Sequence, residues 1–341
     1  MATSATVLEP SQPAAKPRRI VLPGGSGNIG DLLAKHFHAQ GDAVIVLSRH
    51  PRPAPWTVLP WDAQTEGAWV DTLEGADAVI GLSGRSVNTR STPKHRQEIY
   101  DSRIGPTKLL SRVIRGLRNP PAVWLNASTA TIYKHALDEP QEESDHEIGG
   151  HEPDAPKSWE FSVKVGLDWE EALFAHPLPH TRTVAMRTSL VMSAQPGSVF
   201  AVLSKLVRYG LGGTQGKGNQ HVSWMHEADY VRAVEWMLRD ARWNDAVNLS
   251  APDAPVNRDF MRTLREAWGV RFGPPAPEWA IKLGTYLMRT ESELVLKSRW
   301  VYPGRLEHEG FPFQFPDWQS AAHDLVRQMR QGDAQHGKVG R

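Results

Sequence analysis

The chain has 341 residues, which at about 150 residues per domain predicts one large domain or two smaller ones. Its 39 Lys and Arg side chains nearly balance its 38 Asp and Glu side chains, so no net charge attracts nucleic acid or an anionic membrane. Cysteine is absent, which excludes disulfides, thiolate metal sites and cysteine nucleophiles.

The two ends of the chain are predicted to be flexible tails. Residues 1–18 are rich in Ala, Ser, Thr and Pro and lack the apolar stretch of a signal peptide, and residues 331–341 are polar. The longest apolar runs, such as Ala43–Leu47, are far shorter than a membrane helix. The expected compartment is therefore the cytoplasm, with neither a membrane nor nucleic acid as a partner.

The first half of the chain alternates strand and helix patterns. Arg19–Pro23 is a short apolar run that ends at glycines, as buried parallel strands do, and Ile29–Gln40 has apolar residues at helical spacing. A long helical pattern covers about residues 94–117. Four more short strands are predicted, at Ala43–Leu47, Val58-Leu59, Ala78–Leu82 and Ala122–Leu125. This rhythm predicts an α/β fold with a doubly wound parallel sheet.

Residues 24–30 form the strongest motif. They read Gly-Gly-Ser-Gly-Asn-Ile-Gly and match Gly-x-Gly-x-x-Gly between the first predicted strand and the first helix. Glycine allows a tight turn and a close approach of the backbone to a pyrophosphate, and the helix N-terminus adds free N–H groups. In this strand–turn–helix context the motif predicts a dinucleotide site, rather than a glycine-rich surface turn.

The residue after the second strand indicates which dinucleotide binds. NAD sites usually place a carboxylate about 20 residues after the glycines, but the sequence here is Ser48-Arg49-His50. The guanidinium of Arg49 can hold the 2′-phosphate of NADP(H), although a solvated loop arginine is the simpler alternative. The predicted cofactor is NADP(H).

These residues resemble the short-chain dehydrogenase/reductase superfamily, in its extended or atypical branch, and more narrowly the epimerase-like family, some members of which are labelled cell-division inhibitors. The resemblance covers about residues 19–325. It rests on the glycine loop and on a series of further motifs, which are Gly81–Gly84, Asp101–Arg103, Ala127–Thr129, Trp169-Glu170, Met186-Arg187, Gly216–Gln220, Ser223–His226, Asp229, Arg299, Pro303, Leu306 and Gly310–Phe313.

The resemblance implies a Rossmann domain at residues 19–250, with a cap insertion at about 191–224. It also implies a smaller α+β cap domain at 251–330. Extended to single residues, it implies cofactor contacts from Gly24, Gly27, Asn28, Ile29, Gly30, Ser48, Arg49, Leu82, Ser83, Gly84 and Arg103.

The catalytic Tyr-x-x-x-Lys dyad of the superfamily is absent. None of the six tyrosines has a lysine four residues later, and alignment on Glu170 puts Ser162 and Gly166 at the dyad positions. Ser128 matches the serine that polarises the substrate carbonyl, although a turn hydroxyl would look the same. Tyr133 is a candidate acid for the same carbonyl, or else an exposed loop residue, and Lys164 is a third candidate or a solvated lysine.

Three other features suggest weaker hypotheses. Gln220 and His226 follow a glycine-rich segment that lines the substrate pocket in the extended branch, so both are candidate substrate contacts, while His226 is alternatively a helix cap. The segment 138–154 has eight acidic residues and no basic one, which fits a solvated flap or a lid over the cofactor. The 14 histidines form no His-Glu-x-x-His motif, so no metal is expected.

Two functions remain open from the sequence. The first is an NADP(H)-dependent oxidoreductase or epimerase that acts on a small carbonyl or sugar-like compound, with Ser128 orienting the oxygen. The second is a non-catalytic NADP(H)-binding protein that reports the cofactor state to a partner, which the missing dyad favours.

Overall fold

Nine strands and nine α-helices lie in the residues that the structure, a computed structural model, describes: 16–87, 92–152, 156–281 and 293–339. The strands are β1 Arg19–Pro23, β2 Ala43–Ser48, β3 Thr57–Pro60, β4 Ala78–Gly81, β5 Val123–Thr129, β6 Arg182–Thr188, β7 Leu190–Met192, β8 Trp224–His226 and β9 Asp245–Leu249. The helices are α1 Asn28–Ala39, α2 Pro93–Gly116, α3 Lys157–Phe174, α4 Val199–Arg208, α5 Glu227–Arg239, α6 Asn257–Trp268, α7 Glu293–Leu296, α8 Gly304–His308 and α9 Trp318–Val339.

The main sheet has seven parallel strands in the order β3-β2-β1-β4-β5-β6-β9. The order reverses between β1 and β4, and in doubly wound sheets ligands bind at this reversal, beyond the carboxyl ends of the strands. The predicted doubly wound parallel sheet is confirmed. The sequence patterns missed β6 and β9, whose residues include Arg182, Arg187 and Asn248 among the apolar ones.

Alternate residues of the strands point to opposite faces of the sheet, and each face has its own core. Ile20 and Leu22 of β1 pack with Leu33 and Phe37 of α1 on one face, together with residues of α5. Val21 packs on the other face with residues of α2 and α3. The apolar spacing that predicts α1 is therefore the spacing of its buried side.

A second, separate core joins the middle of the chain to its C-terminal part. Phe200 of α4 and Trp224 of β8 pack with Phe260 of α6, and Trp318 of α9 stacks on Phe260 with ring centroids 4.0 Å apart. The short parallel pair β7-β8 lies in this unit. The residues of the predicted cap insertion thus pack with the predicted C-terminal cap.

Both predicted tails need correction where the structure describes them. Arg18 lies in the predicted N-terminal tail, yet its guanidinium bonds to Asp42 at 2.6 Å and to Glu235 at 2.9 Å. Helix α9 runs on to Val339, through most of the predicted C-terminal tail. Residues 1–15 lie outside the described residues. Within the described ranges, no helix is long and apolar enough to cross a membrane.

Candidate functional site

A cavity of about 400 Å³ lies at the carboxyl edge of the sheet. Its wall combines the start of α1, the end of β5, one side of α3 and residues of the C-terminal part. The polar and charged residues in this wall include Arg103, Ser128, Ser162, Glu293 and Arg299, and Ile29 brings the glycine loop to the same space.

The glycine loop has the geometry of a phosphate cradle. Gly24 has φ +77°, and a Cβ there would lie 2.7 Å from the backbone of Ser83. A Cβ on Gly30 would lie 2.1 Å from the carbonyl oxygen of Gly25, so the helix can approach the strand only without a side chain there. Gly27 has no atom within 4 Å of its Cβ position, and no side chain caps the helix that begins at Asn28. The open side and the uncapped N–H groups suit an anion.

The loop after β4 completes this cradle. The N–H of Leu82 donates to the carbonyl of Pro23, which ties the loop to the end of β1. The hydroxyl of Ser83 is buried and has no hydrogen-bond partner among the described residues. Because an unsatisfied buried hydroxyl is costly, Ser83 is a donor that a bound ligand would satisfy.

Ser48 and Arg49 have different environments. Ser48 is buried, and its hydroxyl accepts a hydrogen bond from the N–H of His50, so it holds the turn that presents Arg49. Arg49 is exposed directly after β2 and has no ion-pair partner within the described ranges. Its guanidinium is therefore available to a phosphate group.

Arg103 lies on α2 with its guanidinium at the cavity wall. It donates to the carbonyl of Ile99 at 3.0 Å and lies 5.2 Å from the ring of Trp169, but no carboxylate of the described chain pairs with it. Burial lowers its pKa to about 10. A Cβ on Gly84 would lie 3.3 Å from this guanidinium, so the Arg103 side chain adjoins the β4 loop and the cofactor cradle.

Ser128 at the end of β5 belongs to a buried group with Glu170 and Arg187, which we call the sheet cluster. The Ser128 hydroxyl donates to Glu170 at 2.5 Å, and Arg187 donates to both oxygens of Glu170, at 2.9 and 2.8 Å. Burial opposes the charge on Arg187, but these bonds raise its pKa above the ordinary value. Since the Ser128 proton points to Glu170, its lone pairs are left to accept from a ligand.

Tyr133 extends the sheet cluster away from the cavity, which corrects its prediction as an acid. Its hydroxyl donates to Asn248 at 2.7 Å and accepts from Arg187 at 3.0 Å, and the side chain is 2% exposed. Burial raises the pKa of Tyr133 to about 12. The alternative of an exposed loop tyrosine is also wrong. Tyr133 therefore stabilises the sheet cluster through Arg187, on the side away from the cavity.

Ser162, at the dyad position, lies in the cavity wall and belongs to a second group. Its hydroxyl donates to Oε2 of Glu293 at 2.8 Å, and Oε1 of Glu293 lies 3.6 Å from Nη2 of Arg299. We call Ser162, Glu293 and Arg299 the cap cluster. Oε1 has no hydrogen-bond partner in the described part of the chain, although Glu293 is only 5% exposed.

Lys297 lies one turn after Glu293 and is almost fully buried. Its ammonium donates to the carbonyl of Thr131 at 3.0 Å and lies 5.6 Å from the ring of Trp159. Burial and the nearby charge of Arg299 lower its pKa to about 8. The C-terminal part thus brings Glu293 and Arg299 to the cavity wall, with Lys297 beside them.

Gln220 and His226 do not line the cavity, which corrects their prediction as substrate contacts. The amide of Gln220 donates to the carbonyls of Gln215 and Val295. His226 is the N-cap of α5, where Nδ1 accepts from the N–H of Ala228, and Nε2 lies 3.2 Å from Asp324. Burial lowers the pKa of His226. The helix-cap alternative is the correct one.

The acidic segment and Lys164 have structural contacts. Lys134 pairs with Glu147 at 2.6 Å, and Glu143 accepts from the backbone N–H of Asn248 at 2.7 Å. These bonds fasten parts of the segment to its surroundings, while Asp138, Glu139 and Glu147 stay exposed. Residues 153–155 lie outside the described ranges. Lys164 is exposed and pairs with Asp168, as a solvated helix lysine does.

Most of the charged residues of the site were not predicted from the sequence. Glu170, Arg187 and Arg299 appear there only as pieces of motifs, and Glu293 and Lys297 do not appear at all. Glu293 and Lys297 could have been noticed, because they share a short segment with Arg299, next to apolar residues. Nothing in the sequence says that this segment reaches α3.

Comparisons with known proteins agree with the fold. A profile of the NAD dependent epimerase/dehydratase family matches residues 20–250, and one of a domain of unknown function, DUF1731, matches residues 276–325. The human epimerase family protein SDR39U1 is 27% identical over 312 residues, which cover 90% of this chain and 99% of that protein. Epimerase family protein SA0724 of Staphylococcus aureus (strain N315) is 24% identical over 91% of this chain and 100% of that protein.

Solved structures give the same result. The crystal structure of human SDR39U1 (isoform 2) with NADPH matches with a TM-score of 0.79 and 26% identity, over 91% of this chain and 99% of that one. A nucleoside-diphosphate sugar epimerase from Corynebacterium glutamicum matches with a TM-score of 0.71 and 25% identity, over 94% of this chain and 62% of that one. The family predicted from the motifs is confirmed: the chain belongs to the NAD dependent epimerase/dehydratase family.

Proposed function

We propose that the protein is an NADP(H)-dependent oxidoreductase or epimerase-like enzyme that acts on a small carbonyl or sugar-like compound. The observation that carries the proposal is the cavity itself. It joins Ile29, next to the phosphate cradle, to the hydroxyls of Ser128 and Ser162 in one space. Such an arrangement brings a nicotinamide ring and a polar substrate together at the carboxyl edge of the sheet.

The residues present fit NADP(H). The open side of Gly27 and the uncapped start of α1 suit the pyrophosphate, and the unpartnered hydroxyl of Ser83 supplies a donor beside it. Arg49 suits the 2′-phosphate, and Arg103 compensates negative charge between the cradle and the cavity. The human relative was crystallised with NADPH, which supports the same cofactor here.

The bound cofactor would supply or accept a hydride, and the protein would orient the reacting group. Ser128 presents lone pairs to the cavity because its proton is held by Glu170. It can therefore hold the hydroxyl of an alcohol substrate or product as an acceptor. Ser162, on the neighbouring helix α3, offers a second polar contact at the same wall.

The second candidate function is a non-catalytic sensor of NADP(H). It is favoured by the absence of the dyad and by the burial of Tyr133, whose hydroxyl is bonded to Asn248 and Arg187. The two functions share the cofactor site and differ in turnover. A screen of carbonyl compounds with protein-bound NADPH separates them.

Titration of the protein with NADPH and NADH tests the cofactor assignment. We expect Arg49→Gln to weaken NADPH binding by roughly 10- to 100-fold, because charge-assisted hydrogen bonds contribute about 1.5–3 kcal/mol. NADH binding should change little, since NADH lacks the 2′-phosphate. Arg112→Gln is the control, because Arg112 is exposed and pairs with Glu66. Equal losses for both cofactors would contradict the role of Arg49, and absence of binding to either would overturn the proposed function.

A further inference from the structure

The cavity wall carries more positive than negative charge, and its two guanidinium groups lie at different ends. The charged residues of the wall, within the described ranges, are Arg103, Glu293 and Arg299. Arg103 lies over the ring of Trp169, whereas Arg299 faces the carboxyl group that accepts from Ser162. Trp169 comes about two turns after Ser162 on α3, or roughly 10 Å along the helix axis. One small anionic group therefore does not reach both arginines.

Arg299 is buried, yet most of its hydrogen-bonding capacity is unused. The residue is 9% exposed and lies in the cavity wall. Its Nη1 donates to the backbone carbonyl of Glu293 at 3.2 Å, and this is the one side-chain hydrogen bond that joins it to a described residue. Nη2 lies 3.6 Å from Oε1 of Glu293, too far for a hydrogen bond. Because buried charged donors are costly without acceptors, the remaining N–H groups suit an anion.

The charges around Arg299 leave place for a further negative group. Burial lowers the pKa of Arg299, but a guanidinium stays protonated in proteins. Lys297 adds a second positive charge beside it. Glu293 is the one carboxylate in the described part of the cavity wall, and Glu152, the next one toward Lys297, already accepts two backbone hydrogen bonds. A ligand that brings its own negative charge would complete the pairing.

We propose that Arg299 binds a carboxylate or phosphate group of the substrate, which is a small anionic carbonyl compound. The inference rests on the proposed function, because it places the reacting carbonyl at Ser128 beside the cofactor. Arg103 serves the cofactor at the other end of the cavity, next to the β4 loop. The C-terminal part thereby supplies a substrate-binding residue to a site otherwise built by the sheet and α3.

The dimensions of the cavity limit the substrate further. Its volume of about 400 Å³ is toward the lower end for ligand pockets, and the nicotinamide shares it. Ser128 is held by Glu170, which comes about two turns after Ser162, so roughly 12 Å of α3 separate the two ends. The anionic group and the carbonyl must therefore lie several bonds apart. Levulinate and dihydroxyacetone phosphate have this form, whereas pyruvate does not.

Matched pairs of carbonyl compounds test the anion site on the wild-type protein. Levulinate is compared with methyl levulinate, and dihydroxyacetone phosphate with dihydroxyacetone, by calorimetric titration of the NADPH-loaded protein. We expect the anion of at least one pair to bind roughly 10-fold or more tightly than its neutral partner, because its hydrogen bonds to Arg299 are charge-assisted. The pair that shows the preference distinguishes a carboxylate from a phosphate. Equal binding within both pairs, or binding of neither anion, overturns the inference.

Substitutions of the two arginines separate their roles. Arg299→Gln should abolish the preference for the anion and leave the affinity for NADPH unchanged. Arg103→Gln should instead weaken NADPH binding and leave the ratio of anion to neutral binding as it is. Arg299→Lys keeps the charge and should keep part of the preference. Arg112→Gln, at an exposed pair with Glu66, is the control. A preference that persists in Arg299→Gln assigns the anion to another cation and overturns the inference.

Kinetics separate this inference from the proposed function. In an active enzyme, Arg299→Gln should raise KM for the anion by roughly 10-fold or more, with kcat little changed. An active wild type with equal kcat/KM for anion and neutral partner overturns the inference only. A protein that binds the anion through Arg299 but reduces no carbonyl compound overturns the proposed function, while the anion site remains. The comparison on the wild type needs no variant, so it holds even where Arg299→Gln does not fold.

Discussion

Two Ser–Glu–Arg groups each place a serine in the wall of the same cavity, and they differ in how completely their hydrogen bonds are satisfied. In the sheet cluster, Arg187 donates to both oxygens of Glu170, and Ser128 donates a third hydrogen bond. In the cap cluster, Arg299 stands 3.6 Å from Glu293, and one carboxyl oxygen has no hydrogen bond in the described part of the chain.

The difference shows which of the two carboxyl groups is held more firmly by its partners. Three charge-assisted bonds hold the carboxylate of Glu170, which in turn fixes the position of Ser128. Glu293 accepts a hydrogen bond from Ser162 on one oxygen, and its other oxygen only faces Arg299 at 3.6 Å. The same three residue types therefore form a fully bonded group in one place and a looser, partly unsatisfied group in the other.

The largest expected effect compares the two arginines. Arg187→Met should lower the free energy of unfolding by about 3–5 kcal/mol, because it leaves Glu170 buried and charged without its partner. Arg299→Met should cost clearly less, since Arg299 lies 3.6 Å from Oε1 of Glu293 and makes no hydrogen bond to it. Urea unfolding measures both. Arg112→Met, at an exposed pair, should stay within about 1 kcal/mol. Equal costs at Arg187 and Arg299 would contradict the contrast.

The next effect is a pH dependence at Lys297, beside the cap cluster. Burial lowers the pKa of Lys297 from 10.5 to about 8, so between these values the unfolded chain binds a proton that the folded protein does not. The free energy of unfolding of the wild type, relative to Lys297→Met, should therefore rise with pH across this window by up to about 3 kcal/mol. Below pH 8 the buried lysine is charged in the folded protein, so the cost of burying it is greatest there.

Unfolding measured at pH 8 and pH 10 checks the Lys297 prediction. Lys164→Met is the control, because Lys164 is exposed and its hydrogen bond to Asp168 raises its pKa. That variant should show no such rise. If the difference in unfolding free energy between wild type and Lys297→Met does not change with pH, then Lys297 is not held in a dehydrated site.

The smallest effect is at Tyr133, behind the sheet cluster. Tyr133→Phe should lower the free energy of unfolding by about 1–2 kcal/mol, because it removes the bonds to Asn248 and Arg187. The rate of carbonyl reduction should change little. Tyr209→Phe, at a side chain that is 72% exposed, is the control. A rate loss of roughly 10²-fold with unchanged stability would make Tyr133 a candidate proton donor again.

The glycine loop was predictable from the sequence because its determinants are local. Gly24 and Gly30 are required by turn geometry and by helix–strand contact within seven residues, and Arg49 directly follows a strand that the apolar pattern already predicts. Ser83 and Arg103 came from motif resemblance. Ser128 was placed correctly at the cavity, but the direction of its proton was not predictable, because Glu170 lies 42 residues later.

The predictions that failed depended on long-range packing. Tyr133 is five residues from Ser128, yet Asn248 and Arg187 hold its hydroxyl on the far side of the cluster. Gln220 lies in a pocket-like segment, but its amide faces the carbonyls of Gln215 and Val295. Both partners of Tyr133 are distant in sequence, and so is Val295, which lies 75 residues after Gln220.

The sequence by itself determined the doubly wound sheet, the phosphate cradle and the absence of the Tyr-x-x-x-Lys dyad. Those features follow from apolar periodicity, glycine sterics and residue spacing, which act over a few turns of chain. Only the tertiary structure decided which hydroxyls reach the cavity and which carboxyl each one meets. Ser162 and Glu293 are 131 residues apart, and only the packing of the C-terminal part against α3 brings them within 2.8 Å.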